Sequence, residues 1–246
     1  MSSTSIHIEG TSDDPLVHET AWLVGIIDTL LTEARSKAGL LTELSLEPVD
    51  RQAAQARLSA FCADRVLRHL SATDQALYAP AAGAGPTRLL VTALRIQHRI
   101  IAHDISDLKT ASTADRTRAA ARSLVTMLES CLEIQKSVLL PALAELPGAD
   151  LPSLAQDMRT LLAGEPLEKP DELDVREIPH GQRHPRIFGT YARLAEGESF
   201  VLVNNHDPKP LRREFDTAYP GQFAWDYVER GPARWRVRIG RPTATR

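Results

Sequence analysis

The chain has 246 residues, enough for one large domain or two of ordinary size. Apolar residues make up 43% and charged residues 25%, the balance of a soluble globular protein, and a formal charge of −3 gives no attraction to nucleic acid or to an anionic membrane. No run of about 18 apolar residues suggests a membrane span, and the polar start MSSTSIHIEGTSDDP lacks the basic and apolar regions of a signal peptide. The two cysteines, Cys62 and Cys131, fall within helical patterns, which points to a reducing cytoplasm and not to a disulfide framework.

Residues 1–14 read as a disordered leader. Asp13 or Asp14 can cap a helix that begins with Pro15 and runs to about residue 38, with Gly39 as its stop. Its apolar stripe includes Trp22, Ile26 and Leu30, and His18 lies one turn before Trp22. A second helix covers 51–77, with Leu58, Cys62, Val66, His69 and Thr73 on one face. Pro80, Gly83, Gly85 and Pro86 make 79–86 a turn. A third helix covers 87–109 and aligns Val91, Leu94, His98, Ala102 and Ile105. Thr113 or Asp115 can cap a fourth, 116–140, whose inner face reads Leu124, Met127 or Leu128, Cys131, Gln135 and Val138. Short connections between these helices predict an up-and-down four-helix bundle over 15–145.

Pro147, Gly148 and Pro152 end that region. Residues 146–172 read as a linker with one short helix at 154–162, closing on the polar stretch GEPLEKPDE. The periodicity then changes. Strands are expected at 173–178, 200–205, 223–229 and 234–239, and helices at 185–194 and 210–219, with a tail at 242–246. The order β-α-β-α-β-β predicts a two-layer α/β domain over 173–241, with both helices on one face of a small mixed sheet. The fold class is therefore α plus α/β, in two domains.

Every expected helix of the first half places a non-aliphatic group on its inward stripe: His18, His69 with Thr73, His98, and Cys131 with Gln135. Together with HLSATDQALYAP and CLEIQKSVLLPAL at the ends of the second and fourth helices, these residues resemble a hemerythrin-like (HHE) domain. The resemblance implies a non-heme di-iron site, with histidine from each helix and carboxylates from the second and fourth. His18, His69 and His98 match that pattern, whereas Thr73, Cys131 and Gln135 stand where a carboxylate, a histidine and a glutamate belong. Two iron ions need several anionic oxygen ligands.

Asp74 follows His69 by five residues, about 500° of helix, so it lies roughly 140° away unless the helix loosens before Pro80. His103 has the same offset from His98. His18, His69, Asp74 and His98 could hold a single iron, zinc or manganese ion, and a thiolate at Cys131 would favour zinc or a redox role. Three readings stand: a complete di-iron site, a mononuclear or altered metal site, and a metal-free bundle whose histidines are hydrogen-bonded core residues.

Residues 173–241 closely resemble domain of unknown function 2249, on LDVRE, RHPRIF, LVNNHDPKPL, YPGQFAWDY and WRVRIGR. That domain often accompanies hemerythrin-like ones. It is also distantly similar to SirA/TusA-type sulfur carriers, in which LD-x-R precedes a reactive cysteine. Here His184 and Pro185 stand near that point and no cysteine follows Cys131, so persulfide transfer has no thiolate. His180 and His184 in the first βα loop, and His206 with Asp207 after the second strand, leave one edge of parallel strands and could converge on a ligand or metal. Arg176, Arg183 and Lys209 would draw an anion there. Alternatively, Asn205 and Asp207 only turn the chain before Pro208.

These features leave three functional classes. The first is a binding or sensing protein that could hold non-heme iron and respond to oxygen, nitric oxide or redox state, with a C-terminal domain that binds a small ligand or a partner. The second is a metal-dependent oxidoreductase or accessory enzyme acting at the edge that carries His184 and His206. The third is a metal-free scaffold that could form a homodimer. No nucleophilic triad, phosphate-cradling loop or dinucleotide fingerprint is present.

Overall fold

The computed structural model describes residues 14–42 and 47–243. Residues 1–13 of the expected leader and 244–246 of the expected tail lie outside the described residues. Helix α1 (Pro15–Thr42) starts on Asp14, whose Oδ1 accepts a hydrogen bond from Leu16 N–H at 2.9 Å. It passes through Gly39, because a glycine stops a helix only where the backbone turns left-handed, and Gly39 stays helical. Its buried stripe is Leu23, Ile27, Leu30, Ala34, Ala38 and Leu41. That is one residue round from the expected Trp22 and Ile26, which are half-buried. The same rotation carries His18 to the exposed side.

Helices α2 (Pro48–Phe61), α3 (Leu67–Thr73) and α4 (Ala79–Ala82) form one rod, joined by π turns at Cys62–Val66 and Asp74–Tyr78. The second π turn explains why the helix continues through 79–82, where a turn was expected. Proline has no N–H and its ring crowds the carbonyl four residues back. Here Ala79 N–H bonds to Asp74 O, five residues back, and the wider turn makes room for Pro80. Helix α5 (Gly85–Thr110) follows at once, with Pro86 in its first turn.

Helices α6 (Ala114–Ile134) and α7 (Leu140–Glu145) repeat the device. Thr113 caps α6, and the π turn Gln135–Leu139 precedes Pro141. The extra residue in that turn moves the inward position from the expected Val138, which is 49% exposed, to the buried Leu139. On α5 the inward residue is Ile101 and not Ala102.

Helix α1 packs on α2 and α6, and α5 packs on both of those. Helix α8 (Leu151–Ala163) starts at Asp150 and ends at Gly164, whose φ of 85° is the left-handed cap that glycine tolerates. It buries Leu151, Ala155 and Met158 against α1 and α3. The short helix expected within a linker is thus part of the helical core. No described helix is long and apolar enough to cross a membrane.

The C-terminal part contains β1 (Glu172–Asp174), α9 (His180–Ala192), β2 (Ser199–Asn204), α10 (Lys209–Ala218), β3 (Ala224–Glu229) and β4 (Trp235–Gly240). The sheet order is β1-β2-β4-β3, with β1 and β2 parallel and the other pairs antiparallel. Phe188 and Tyr191 of α9 meet Phe215 of α10 at ring distances of 4.4 and 5.1 Å, so both helices share one layer. The layout is an α part followed by an α/β part.

The two parts share a continuous apolar core. Helix α4 lies against α9. A Cβ on Gly83 would stand 2.9 Å from His184 O, and one on Gly148 would stand 2.5 Å from Gln182 Cα. These two glycines let the helical part approach the α9 backbone.

Candidate functional site

The inward polar residues of three helices meet in one buried cluster. Tyr78 OH lies 3.0 Å from His98 Nε2, and its ring sits 4.9 Å from the imidazole. Gln135 Nε2 donates to Tyr78 OH at 2.6 Å and reaches Cys131 Sγ at 3.5 Å. His69 is 4% exposed, and burial pushes its pKa down to about 4 against the opposing influence of Gln135. Burial also lowers His98 to about 4 and raises Cys131 to about 11. Tyr78 is raised for the same reason. Every member is therefore uncharged at neutral pH. His69 Nε2, Thr73 Oγ1 and Gln135 Oε1 are buried with no hydrogen-bond partner among the described residues.

His69 also lines a cleft of about 660 Å³ between α1, α3 and the end of α8. Trp22, Ile26, Leu30 and Leu162 form its apolar walls, and the exposed Asp64, Arg65 and Arg68 border it. Gly25 of α1 belongs to the same wall. A glycine in a helix interior costs about 1 kcal/mol relative to alanine. A Cβ on Gly25 would meet nothing within 4 Å, as is also true of Gly39 in the same helix and of Gly189 in α9. The missing side chain at Gly25 widens the cleft.

The residues present do not fit a di-iron centre. Such a centre needs bridging carboxylates, and the cluster has none. Asp74, whose charge both His98 and Tyr78 feel, turns away to Arg95, with Oδ1 2.7 Å from Nε. The loosening at the π turn does occur, but Arg95 on the neighbouring helix captures the carboxylate that it frees. His18 is exposed. His103 is 74% exposed and faces Asp107 at 3.5 Å, because a five-residue offset on regular helix carries it off the inward stripe. Among the described residues no group of three histidine, cysteine or acidic side chains is arranged to hold a metal. The structure thus brings together His69, His98, Cys131 and Gln135, and leaves out His18, Asp74 and His103. Sequence reasoning missed Tyr78 and Arg95. The aromatic residue two before Pro80 was the visible signal for Tyr78. Arg95, three before His98, had none.

The edge of the α/β sheet is organised by Arg183, which is buried and ties both loops together. It donates to Ile178 O at 2.7 Å, Arg176 O at 3.1 Å and Asn204 Oδ1 at 3.2 Å. That engagement leaves it a staple more than an anion receptor. His180 and His206 do converge, with ring centroids 5.6 Å apart, and Asn205 Oδ1 lies 2.8 Å from His206 Nδ1. Burial, then His180 and Arg183, lower the pKa of His206. The other expected members are diverted. Arg176 pairs with Asp174 at 2.7 Å, and Asp207 accepts from Tyr227 OH at 2.7 Å and faces Lys209 at 3.2 Å. His184 faces Glu214 at 2.9 Å, beside Arg88 of α5.

No curated protein and no solved structure matches the chain. The likeness of residues 15–145 to hemerythrin-like domains has no family match behind it. Residues 172–241 match the family described as uncharacterized conserved protein (DUF2249), and the α/β part of the chain is a DUF2249 domain.

Proposed function

We propose that the protein is a binding module whose helical part is an up-and-down four-helix bundle of hemerythrin-like plan. A neutral polar core stands where that plan would hold a metal. The ligand is a small, uncharged molecule with an apolar ring and one hydrogen-bonding group. It lies in the cleft beside Trp22, and His69 at its inner wall reads the polar group. A neutral imidazole can donate or accept one hydrogen bond there without an ionic penalty. The observation that carries this reading is His69, which lines the cleft and whose buried Nε2 has no hydrogen-bond partner among the described residues.

Gly25→Leu places a side chain in the cleft from a position where a Cβ has room, and keeps the His69 imidazole. Thermal unfolding in the presence of indole or phenol tests the reading. At least one of them raises the melting temperature of the native chain, and neither raises that of the variant, which by itself is at least as stable as the native chain. A shift of equal size in both proteins, or in neither, refutes the assignment.

A further inference from the structure

A larger cleft, of about 860 Å³, runs between the helical part and the DUF2249 domain. One wall is the face of α5 that carries Arg95, His98 and Arg99, and the other is Tyr219 with the Pro220 and Gly221 turn and Arg241. Gly221, with φ of 69°, gives that turn its tight form. Three guanidinium groups from two parts of the chain converge here against two acids, Asp74 and Glu196. The surplus is positive although the whole chain carries −3.

Two of the three guanidiniums are held in place before any ligand arrives. Arg95 stacks on Tyr219 at 5.0 Å, donates through Nε to Asp74 at 2.7 Å and through Nη2 to Tyr219 OH at 3.2 Å. Arg241 lies over the Tyr191 ring at 5.3 Å. Arg99, one turn beyond Arg95, is exposed and makes no ion pair among the described residues. Planar, preorganised guanidiniums bind carboxylate and phosphate groups at a low entropic cost. Clefts at domain boundaries are also where small-molecule sites concentrate.

We infer that this cleft binds the carboxylate or phosphate group of a small metabolite through Arg95, Arg99 and Arg241. The site is separate from the cleft at His69, and the anion would bridge the two parts of the chain. Arg99 supplies the uncompensated charge, and Arg241 closes the site from the sheet side.

The test is thermal unfolding of the full chain with inorganic phosphate or succinate, against sodium chloride at equal ionic strength. At about 100 times its dissociation constant, the bound anion should raise the melting temperature by roughly 5 °C. A response to phosphate alone marks a phosphoryl ligand, and a response to succinate marks a carboxylate. Either response should fall at least tenfold in apparent affinity in Arg99→Gln, whose own melting temperature is unchanged. Arg241→Gln should weaken it likewise. A shift no larger than that of chloride overturns the inference, as does a shift that survives both substitutions.

Discussion

His69 and His98 are neutral because their surroundings offer a proton no partner worth its desolvation. Both values fall from 6.5 to about 4. A depressed histidine means that the unfolded chain takes up protons which the folded chain refuses. Stability is therefore full above about pH 6.5 and declines as the pH falls towards about 4, by up to about 3 kcal/mol for His69 and less for the more exposed His98. Urea unfolding across that range should show the loss, and His69→Gln should remove the larger share of the slope. A flat profile in the native chain would mean that the imidazoles are not buried as described. Gln135→Leu provides a second check. It removes the amide donor to the buried Tyr78 hydroxyl, which keeps only His98 as a partner, and should cost about 1 kcal/mol at neutral pH. Much of this cluster was legible in the sequence. His69, Thr73, Cys131 and Gln135 lie at three- and four-residue steps, and all four are buried. What the sequence could not convey was the identity of the partners. Whether Asp74 turns inward or towards Arg95 depends on a neighbouring helix, and no local pattern encodes it.

At the scale of the elements, the two proline-linked π turns set which residues face inward. Each adds one residue to its turn, which is why Leu139 is buried where Val138 was expected. Helical periodicity read at a constant 100° per residue fails past such a point. The stripe of α1 was misread by one position for a different reason: Trp22 and Ile26 are apolar enough to compete with Leu23 and Ile27. In the α/β part the order of elements was clearer, since alternation and turn residues agree. However, β1 ends at Asp174 and not at 178, and α9 starts at His180, so His180 and His184 lie on the helix where a loop was expected, and Pro185 lies inside the helix and not at its start. The contact between α9 and the preceding part was invisible, because it depends on two glycines remote in sequence. Gly148→Ala introduces strain at φ 84° and a Cβ 2.5 Å from Gln182 Cα. It should lower stability by about 2–4 kcal/mol. Gly83→Ala, at a regular φ and 2.9 Å from His184 O, should cost less. Denaturant midpoints of the two variants decide the order, and an unchanged Gly148 variant would show that the loop does not rest on α9.

At the scale of the molecule, the α part and the DUF2249 domain behave as one cooperative unit in this account. Ala79, Ala81 and Ala82 are buried where α4 lies against α9, and Arg193 pairs with Asp157 of α8 at 2.6 Å. Ending the chain at Gly164 would expose α4 and remove one wall of the interdomain cleft. The truncated helical part should melt at a clearly lower temperature than the full chain, which should itself unfold in a single calorimetric transition. Two separate transitions in the full chain would contradict this. The central claim, however, is that a neutral hydrogen-bonded core replaces a metal centre, and elemental analysis tests it most directly. Protein purified without tags or chelators would be measured by plasma mass spectrometry beside its visible spectrum. The account predicts iron, zinc and manganese all far below one equivalent per chain and no charge-transfer band. About two irons per chain with oxo-bridge absorption would contradict it, and would require carboxylates to reach the cluster in an arrangement different from that of Asp74 and Arg95.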